Sequence, residues 1–403
     1  MTNASLIARH QNALILNYGK LPAALVRGQG SRLTDADGHT YLDLFAGFGG
    51  TILGHCHPAL VAAVTRQANT LWATGNQFYT EPQIRLAEHL QAKAFDGRAF
   101  FCHSGAEANE AAIKLARLAA ANASPNNPPF KIISFLKGFH GRTLGALSAT
   151  PTPDYQKGFT PLIPGFTYVP YNDLAALQDA IDPQTCAVLV EPIQGEGGIN
   201  VPDPHFLAGV RALCDQHHLT LIFDEVWTGC GRTGAYFGHQ LHNDRNGGGV
   251  IPDIMTLGKA LGGGVPVACM FAKPRLAALL KPGTHGCTLG GNPICAAIAA
   301  AVFDVLEQEN LPAQAAQKGK RIVEALASFK NTGKIKQIRG TGLFLGVELH
   351  APDAGPVVQA ALAAGLIINA TSKNVLRIAP ALTIPAHDLE EALPRLDQAL
   401  SAV

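Results

Sequence analysis

The sequence predicts an α/β protein: a large domain built on a mostly parallel sheet flanked by helices, and a smaller α+β domain made from the two chain ends. Three observations predict it. Between about residues 98 and 272, short apolar runs alternate with longer amphipathic stretches, the pattern of strands joined by helical crossovers. After "GGNPICAAIAAAVFDVLEQENLP" that alternation stops, and a long helix leads into mixed helix and strand. The N-terminal "RGQGSRLTDADGHTYLDLFAG" holds two short strands about a D-A-D-G turn and is expected to pack with the other chain end.

Residues 1–45 thus read as an N-terminal segment, 46–305 as the large domain and 306–403 as the small one. The large domain's strands are "AFFC" (99–102), "KIISFL" (131–136), "FTYVP" (166–170), "CAVLVE" (186–191), "LTLIFD" (219–224), "IMTLG" (254–258) and "VACMFA" (267–272). A helix over 106–121 puts Ala112, Leu115, Ala116 and Ala119 on one face, and "ANASPNNPP" ends it. From residue 311 the pattern gives a helix, strands near 343–348 and 375–379, and a final helix near 387–401.

Composition narrows the function. The chain has 403 residues, and 31 Lys and Arg nearly cancel 30 Asp and Glu. No basic field is left to hold nucleic acid or an anionic membrane. The longest apolar run, Ile294 to Phe303, is far short of the ~20 residues that span a bilayer. Eight cysteines at irregular spacing, without a C-x-x-C pair, read as reduced thiols of a cytoplasmic protein. The first 34 residues lack acidic side chains, as an organellar presequence would. "GHCHP" (54–58) and His217-His218 lack the spacing of a metal centre, so no metal is expected. The G-x-G fragments lack the rest of a dinucleotide fingerprint.

Chemistry concentrates at two strand ends. "LIFDEVWTGCGRTG" (221–234) carries a buried-strand pattern straight into Asp224, and an unpaired carboxylate there is costly. It calls for a cation, unless Asp224 is a loop or helix-cap residue. In "MTLGKALGGGVP", Lys259 stands among apolar and glycine residues with no acid within several positions. Desolvation would lower its pKa and make it a usable amine nucleophile, the plainer reading being a solvated surface lysine. An amine and a carboxylate at the carboxyl edge of such a sheet match what pyridoxal phosphate requires: one takes the aldehyde, the other keeps the pyridine nitrogen protonated. "CHSGAEANEAA" adds Ser104, Gly105 and Ala106 before a helix, either an anion cradle or a plain cap.

In order, "SGAEANEAAIKLAR", "FHGRTLGALSAT", "EPIQGEGGI", "LIFDEV-TG-GRTG", "TLGKALGGG" and "HG-T-GGNP" resemble the class III pyridoxal-phosphate aminotransferases of the ornithine and acetylornithine type, fold type I enzymes. The likeness runs from about Tyr18 to Arg377, which leaves little room for a removable presequence. It implies transfer of the terminal amino group of N-acetylornithine, or a related amine, to 2-oxoglutarate, giving glutamate. Lys259 would be the catalytic lysine and Asp224 the partner of the ring nitrogen. Ser104, Gly105 and Ala106 would lie at the phosphate, with Phe139 and Val226 on the two ring faces, unless both are ordinary core. Thr288 would reach the phosphate bound by a neighbouring subunit, so the active sites of a homodimer would be shared. Arg142 and Arg377 would fork the substrate carboxylates, and Tyr18 would contact one. Glu196 would pair with Arg377 when the donor has a single carboxylate, or else form a permanent salt bridge. Another class III transaminase, using ornithine, a succinylated homologue, 4-aminobutyrate or a diamine, is the nearest alternative; a silent cofactor-binding protein is a third.

Two departures stand out. Trp227 replaces a glutamine that would contact the cofactor's phenolic oxygen, and an indole N–H can donate but not accept. Thr51 replaces an asparagine, and Gly49-Gly50 replaces larger apolar residues on the substrate side.

Overall fold

A computed structural model describes residues 1–242 and 249–403. Three sheets form. The first joins the chain ends: β1 (Leu25–Gln29), β2 (Arg32–Asp35) and β3 (Thr40–Asp43) run antiparallel, and Leu366–Ile367 from the far end of the sequence pairs with β3 in parallel.

The central sheet holds β4 (Arg98–Cys102), β5 (Lys131–Phe135), β6 (Phe166–Val169), β7 (Thr185–Val190), β8 (Thr220–Asp224), β9 (Ile254–Leu257) and β10 (Ala268–Ala272), in the order β4-β10-β9-β8-β7-β5-β6. Only β10 runs against its neighbours. Strands β7 to β9 are buried throughout, because helices cover both faces, and so they read as unbroken apolar runs. Alternation still sorts their side chains. Ile132, Leu189, Ile222 and Ile254 face Ala112, Leu115 and Ala116 of the helix Gly105–Ala123, while Ile133, Val188, Val190, Leu221 and Phe223 pack with Phe206, Leu207 and Val210 of the helix Phe206–Gln216.

The helix Pro293–Gln308 leads out of this sheet and packs on the helices Pro58–Ala68 and Glu81–Lys93. Beyond it, β11 (Ile335–Thr341), β12 (Phe344–Leu349), β14 (Asn369–Ser372) and β15 (Val375–Ile378) form an antiparallel sheet in the order β11-β12-β15-β14, the pair Leu366–Ile367 being β13. The edge strands β11 and β14 are absent from the sequence reading because an edge strand needs no apolar alternation, and "IKQIRGT" and "NATS" have little. The helix Asn3–Ala13 also goes unpredicted: it buries no residue and rests on a capping box between Thr2 and Ser5.

The chain ends are held by charge as well as by strand pairing. Asp388, in the first turn of the helix Ala386–Ala399, is buried and accepts from Ser31 and, at 2.6 Å, from Arg32 Nη2. Asp388→Ala would leave the buried Ser31 hydroxyl without its acceptor, while the partly exposed Arg32 keeps Glu391, and should cost roughly 1–2 kcal/mol. A denaturant titration should show a lower midpoint; an unchanged midpoint contradicts this.

Candidate active site

Ligands of such sheets bind at the carboxyl ends of the parallel strands, and the segments that leave five of these strands carry the residues of the candidate site. Strand β8 ends on Asp224. Its neighbour β9 pairs Thr256 with Asp224, and Lys259 follows three residues later. Glu191 follows β7, Phe139 and His140 follow β5, and Ser104 follows β4.

Asp224 is buried, and its charge is met. Oδ2 lies 2.9 Å from His140 Nδ1 and accepts from Asn109 Nδ2 at 2.8 Å. Asn109 is itself fixed: its amide also donates to the His140 carbonyl at 2.7 Å, and its Oδ1 accepts from Thr256 Oγ1 at 2.8 Å. The other oxygen, Oδ1, accepts only the Val226 amide at 3.1 Å, which leaves it room for one more donor. Beside this web, Glu191 takes the amides of Phe139 and Gly195, both at 2.9 Å. Burial pushes its carboxyl up to about 7, against the pull of His140 and with the push of Asp224. Sequence reasoning passed over Asn109, His140 and Glu191; the signal available was a polar residue inside an apolar helix face and a Glu at a buried strand end.

Ser104 caps the helix Gly105–Ala123 in a box with Glu107, so its hydroxyl serves the helix end. The amides of Gly105 and Ala106, at the first two helical positions, have no intrahelical acceptor. Gly105 cannot be larger, since a Cβ there would sit 2.7 Å from Val226. Gly258 in turn lies over Gly105 and Val226, where a Cβ would come within 3.2 and 3.4 Å of them. This close-packed glycine corner bares two amides and the positive end of a helix, a cradle for a phosphate.

Lys259 is half-buried at φ +40° and begins a short 3₁₀ turn, Lys259–Gly262. Burial drives its ammonium below the ordinary lysine value, while Glu196 and Asp224 pull it back up. Its Nζ stands 4.7 Å from the centre of the Trp227 ring. The same indole lies 4.2 Å from the Arg377 guanidinium and stacks on Phe344 at 5.1 Å. The Trp227 N–H donates to Glu196 Oε1 at 3.0 Å. That oxygen also accepts from Arg377 Nη1 at 2.9 Å. Burial raises the Glu196 carboxyl, yet Arg377, Lys259 and the indole together hold it below its usual value. Arg377 is wholly buried, and its Nη2 has no partner among the described residues.

The other expected residues have surroundings of their own. Arg142 is exposed; its guanidinium stacks 3.5 Å from the Tyr155 ring centre and 5.5 Å from that of Phe139. Tyr18 is exposed, with the Lys20 ammonium 5.8 Å from its ring, and is not hydrogen-bonded to either arginine. Thr288 is exposed beside Cys287, whose sulfur lies 3.3 Å from His103 Nδ1. Thr51 Oγ1 is buried without a partner. The "GHCHP" histidines have structural duties: His55 Nε2 lies 2.8 Å from Asp43, and His57 caps the helix Pro58–Ala68.

The aminotransferase class-III family profile matches residues 15–400. The chain belongs to the class III aminotransferases. An acetylornithine aminotransferase of Caldanaerobacter subterraneus subsp. tengcongensis is 45% identical over 399 residues, 99% of this chain and all of that protein. An acetylornithine/succinyldiaminopimelate aminotransferase of Yersinia pestis is 46% identical, covering 94% of this chain and 93% of its own. Among solved structures, an ornithine aminotransferase from Toxoplasma gondii superposes with a TM-score of 0.94 at 35% identity, over 100% of this chain and 95% of that one. This class III aminotransferase is thus a pyridoxal-phosphate-dependent transaminase.

The residues fit that cofactor. The two free amides and the glycine corner suit its phosphate, the open Oδ1 of Asp224 suits the ring N–H, and Lys259 carries an amine made available by burial. Pyridoxal phosphate supplies an aldehyde for an amine and a ring that stores an electron pair. Asp224, held by His140 and Asn109, would keep a proton on the ring nitrogen, and Lys259 Nζ would hold and move the proton at the substrate carbon. No membrane-spanning helix occurs among the described residues.

Two outcomes follow from this geometry. Capture of pyridoxal phosphate by the apoenzyme should speed up as pH rises, with a midpoint below the ~10.4 of an ordinary lysine, because the neutral amine reacts and burial disfavours the ammonium. Stopped-flow absorbance reads this, and a midpoint at or above the ordinary value contradicts it. Gly105→Ala should weaken cofactor binding about tenfold through its clash with Val226; equilibrium dialysis showing unaltered retention would count against the cradle.

Proposed function

We propose that the enzyme moves the terminal amino group of N-acetylornithine to 2-oxoglutarate, giving glutamate. The Arg377–Glu196 pair is the observation that carries this reading. A wholly buried guanidinium needs an anion, and Glu196 supplies one at 2.9 Å from a side chain that is one-fifth exposed and so able to leave. With Glu196 in place the pocket receives a donor bearing one carboxylate; with Glu196 displaced, Arg377 receives the second carboxylate of 2-oxoglutarate. Arg142, held over the Tyr155 ring, would take the carboxylate common to both. Phe139 and Val226 would flank the cofactor ring. The acetylornithine enzymes at about 45% identity support N-acetylornithine as the donor.

A second donor class has its own support. Trp227 and Gly49 alter the substrate side, and the Yersinia relative is named for succinyldiaminopimelate as well. Ornithine, succinylornithine, 4-aminobutyrate and diamines therefore belong in the same assay.

We further infer a homodimer with shared active sites. Trp72, Phe78 and Tyr79 are exposed, and this segment is tied to the loop of Thr288 by Asn76, which donates to the carbonyls of Cys287 and Gly290 at 3.0 Å each. Such aromatic surface beside a residue proposed to reach a neighbouring phosphate supports an interface. Thr288 would act across it, and Tyr18 would contact a substrate carboxylate. With eight free thiols, a cytoplasmic setting and a place in arginine biosynthesis fit this reading, without nucleic-acid or membrane partners.

A donor panel with 2-oxoglutarate, read as glutamate formed, should give N-acetylornithine the highest kcat/KM; a clearly better donor overturns that name. Arg377→Ala should raise the KM for 2-oxoglutarate by about tenfold or more, whereas an unchanged KM removes Arg377 from the site.

A further inference from the structure

The tryptophan at position 227 has been accommodated on both faces and at its edge. Gly195 leaves no room for a side chain, since a Cβ would lie 2.5 Å from the indole Cδ1. Gly49, at φ +76°, is equally constrained, its Cβ position lying 2.5 Å from Cζ3. Phe344 stacks on the ring. The indole is therefore a fixed wall rather than a mobile side chain.

That wall holds the substrate-side charges in a particular arrangement. Trp227 Nε1 and Arg377 Nη1 converge on one oxygen, Glu196 Oε1, at 3.0 and 2.9 Å. The Arg377 guanidinium lies between two aromatic rings, 4.2 Å from Trp227 and 5.7 Å from Phe48. Phe48 is held at φ +58°, a conformation that is uncommon for a bulky residue. Glu196 thus cannot leave Arg377 without also losing the indole N–H.

We propose that Trp227 is a specificity-determining positioning residue that latches Glu196 onto Arg377 and so biases the pocket against dicarboxylates and toward amino donors with a single carboxylate. The inference rests on the proposed role of Arg377 as the second carboxylate site. A donor with a neutral distal end needs Glu196 where it is and breaks nothing. A dicarboxylate must break two hydrogen bonds to one carboxylate oxygen before it can take the place of Glu196 at the Nη1 arm of Arg377. Trp227 therefore acts on one half of the exchange and not on the other. Gly49 and Gly195 are the compensating sites that make the indole possible.

Trp227→Phe keeps a ring on Phe344 and Arg377 while removing the N–H. It should lower the KM for 2-oxoglutarate and for L-glutamate about fivefold to tenfold, with the KM for N-acetylornithine changed less than twofold. Equal shifts for both substrate classes, or no shift for the dicarboxylates, overturn the latch. A second readout uses the unaltered indole. Trp72 and Trp227 are the only two tryptophans, so Trp72→Phe leaves Trp227 as sole emitter. Titrating that holoenzyme with glutarate, a dicarboxylate that cannot react, should change its emission as Glu196 leaves the indole, and acetate at matched ionic strength should not. Glutarate that binds without changing the emission contradicts the proposal. If Arg377→Ala leaves 2-oxoglutarate and glutarate binding intact, the carboxylate site itself is wrong; if it abolishes both while Trp227→Phe is neutral, only the latch is wrong.

Discussion

A negative charge buried at the end of a parallel strand organises this molecule. Asp224 closes β8 inside the protein, and such a charge is tolerable only if donors converge on it. His140 and Asn109 do so from two different connections, one after β5 and one inside the helix that starts at Gly105. Because Asn109 also binds Thr256 on β9, the web ties together the strand end that carries the carboxylate, the strand that leads to Lys259 and the helix whose start bares two amides. The groups proposed to meet the cofactor's phosphate, ring nitrogen and aldehyde are thereby tied together by one hydrogen-bonded network. Only one carboxylate oxygen is left with capacity to spare.

The second arrangement is electrostatic. Lys259, Arg377 and Glu196 share a small volume in which burial disfavours every charge. Two cations against one carboxylate make the carboxylate's position decisive, since moving it alters both the amine that must be neutral to react and the guanidinium that must be free to bind an anion. Trp227 lies against all three. A polarizable, non-titrating ring with one donor is suited to that place: its face steadies cations and its N–H steadies the anion.

Much of this was legible in the sequence, for identifiable reasons. The central strands are buried on both faces, so their apolar runs name them, and Asp224 and Lys259 stand out as charges at the ends of such runs. The helix Gly105–Ala123 announces itself by its cap and its alanine stripe. What was hidden depends on contacts between distant segments. Asn109 and His140 meet Asp224 across 115 and 84 residues, and no local pattern marks that meeting. Trp227 was legible as a departure, but its contact with Glu196 was not: it depends on Gly49 and Gly195, distant in sequence, whose missing side chains let the ring lie where it does. The edge strands β11 and β14, half-solvated, had no reason to alternate.

The chemistry proposed for this site requires Lys259 to be the amine that takes the cofactor's aldehyde at the end of β9. Borohydride reduction of the holoenzyme, followed by proteolysis and mass spectrometry, tests it most directly. A single pyridoxyl group on the peptide containing Lys259 is the predicted result; the group on any other lysine, or no covalent attachment in an active holoenzyme, would contradict it.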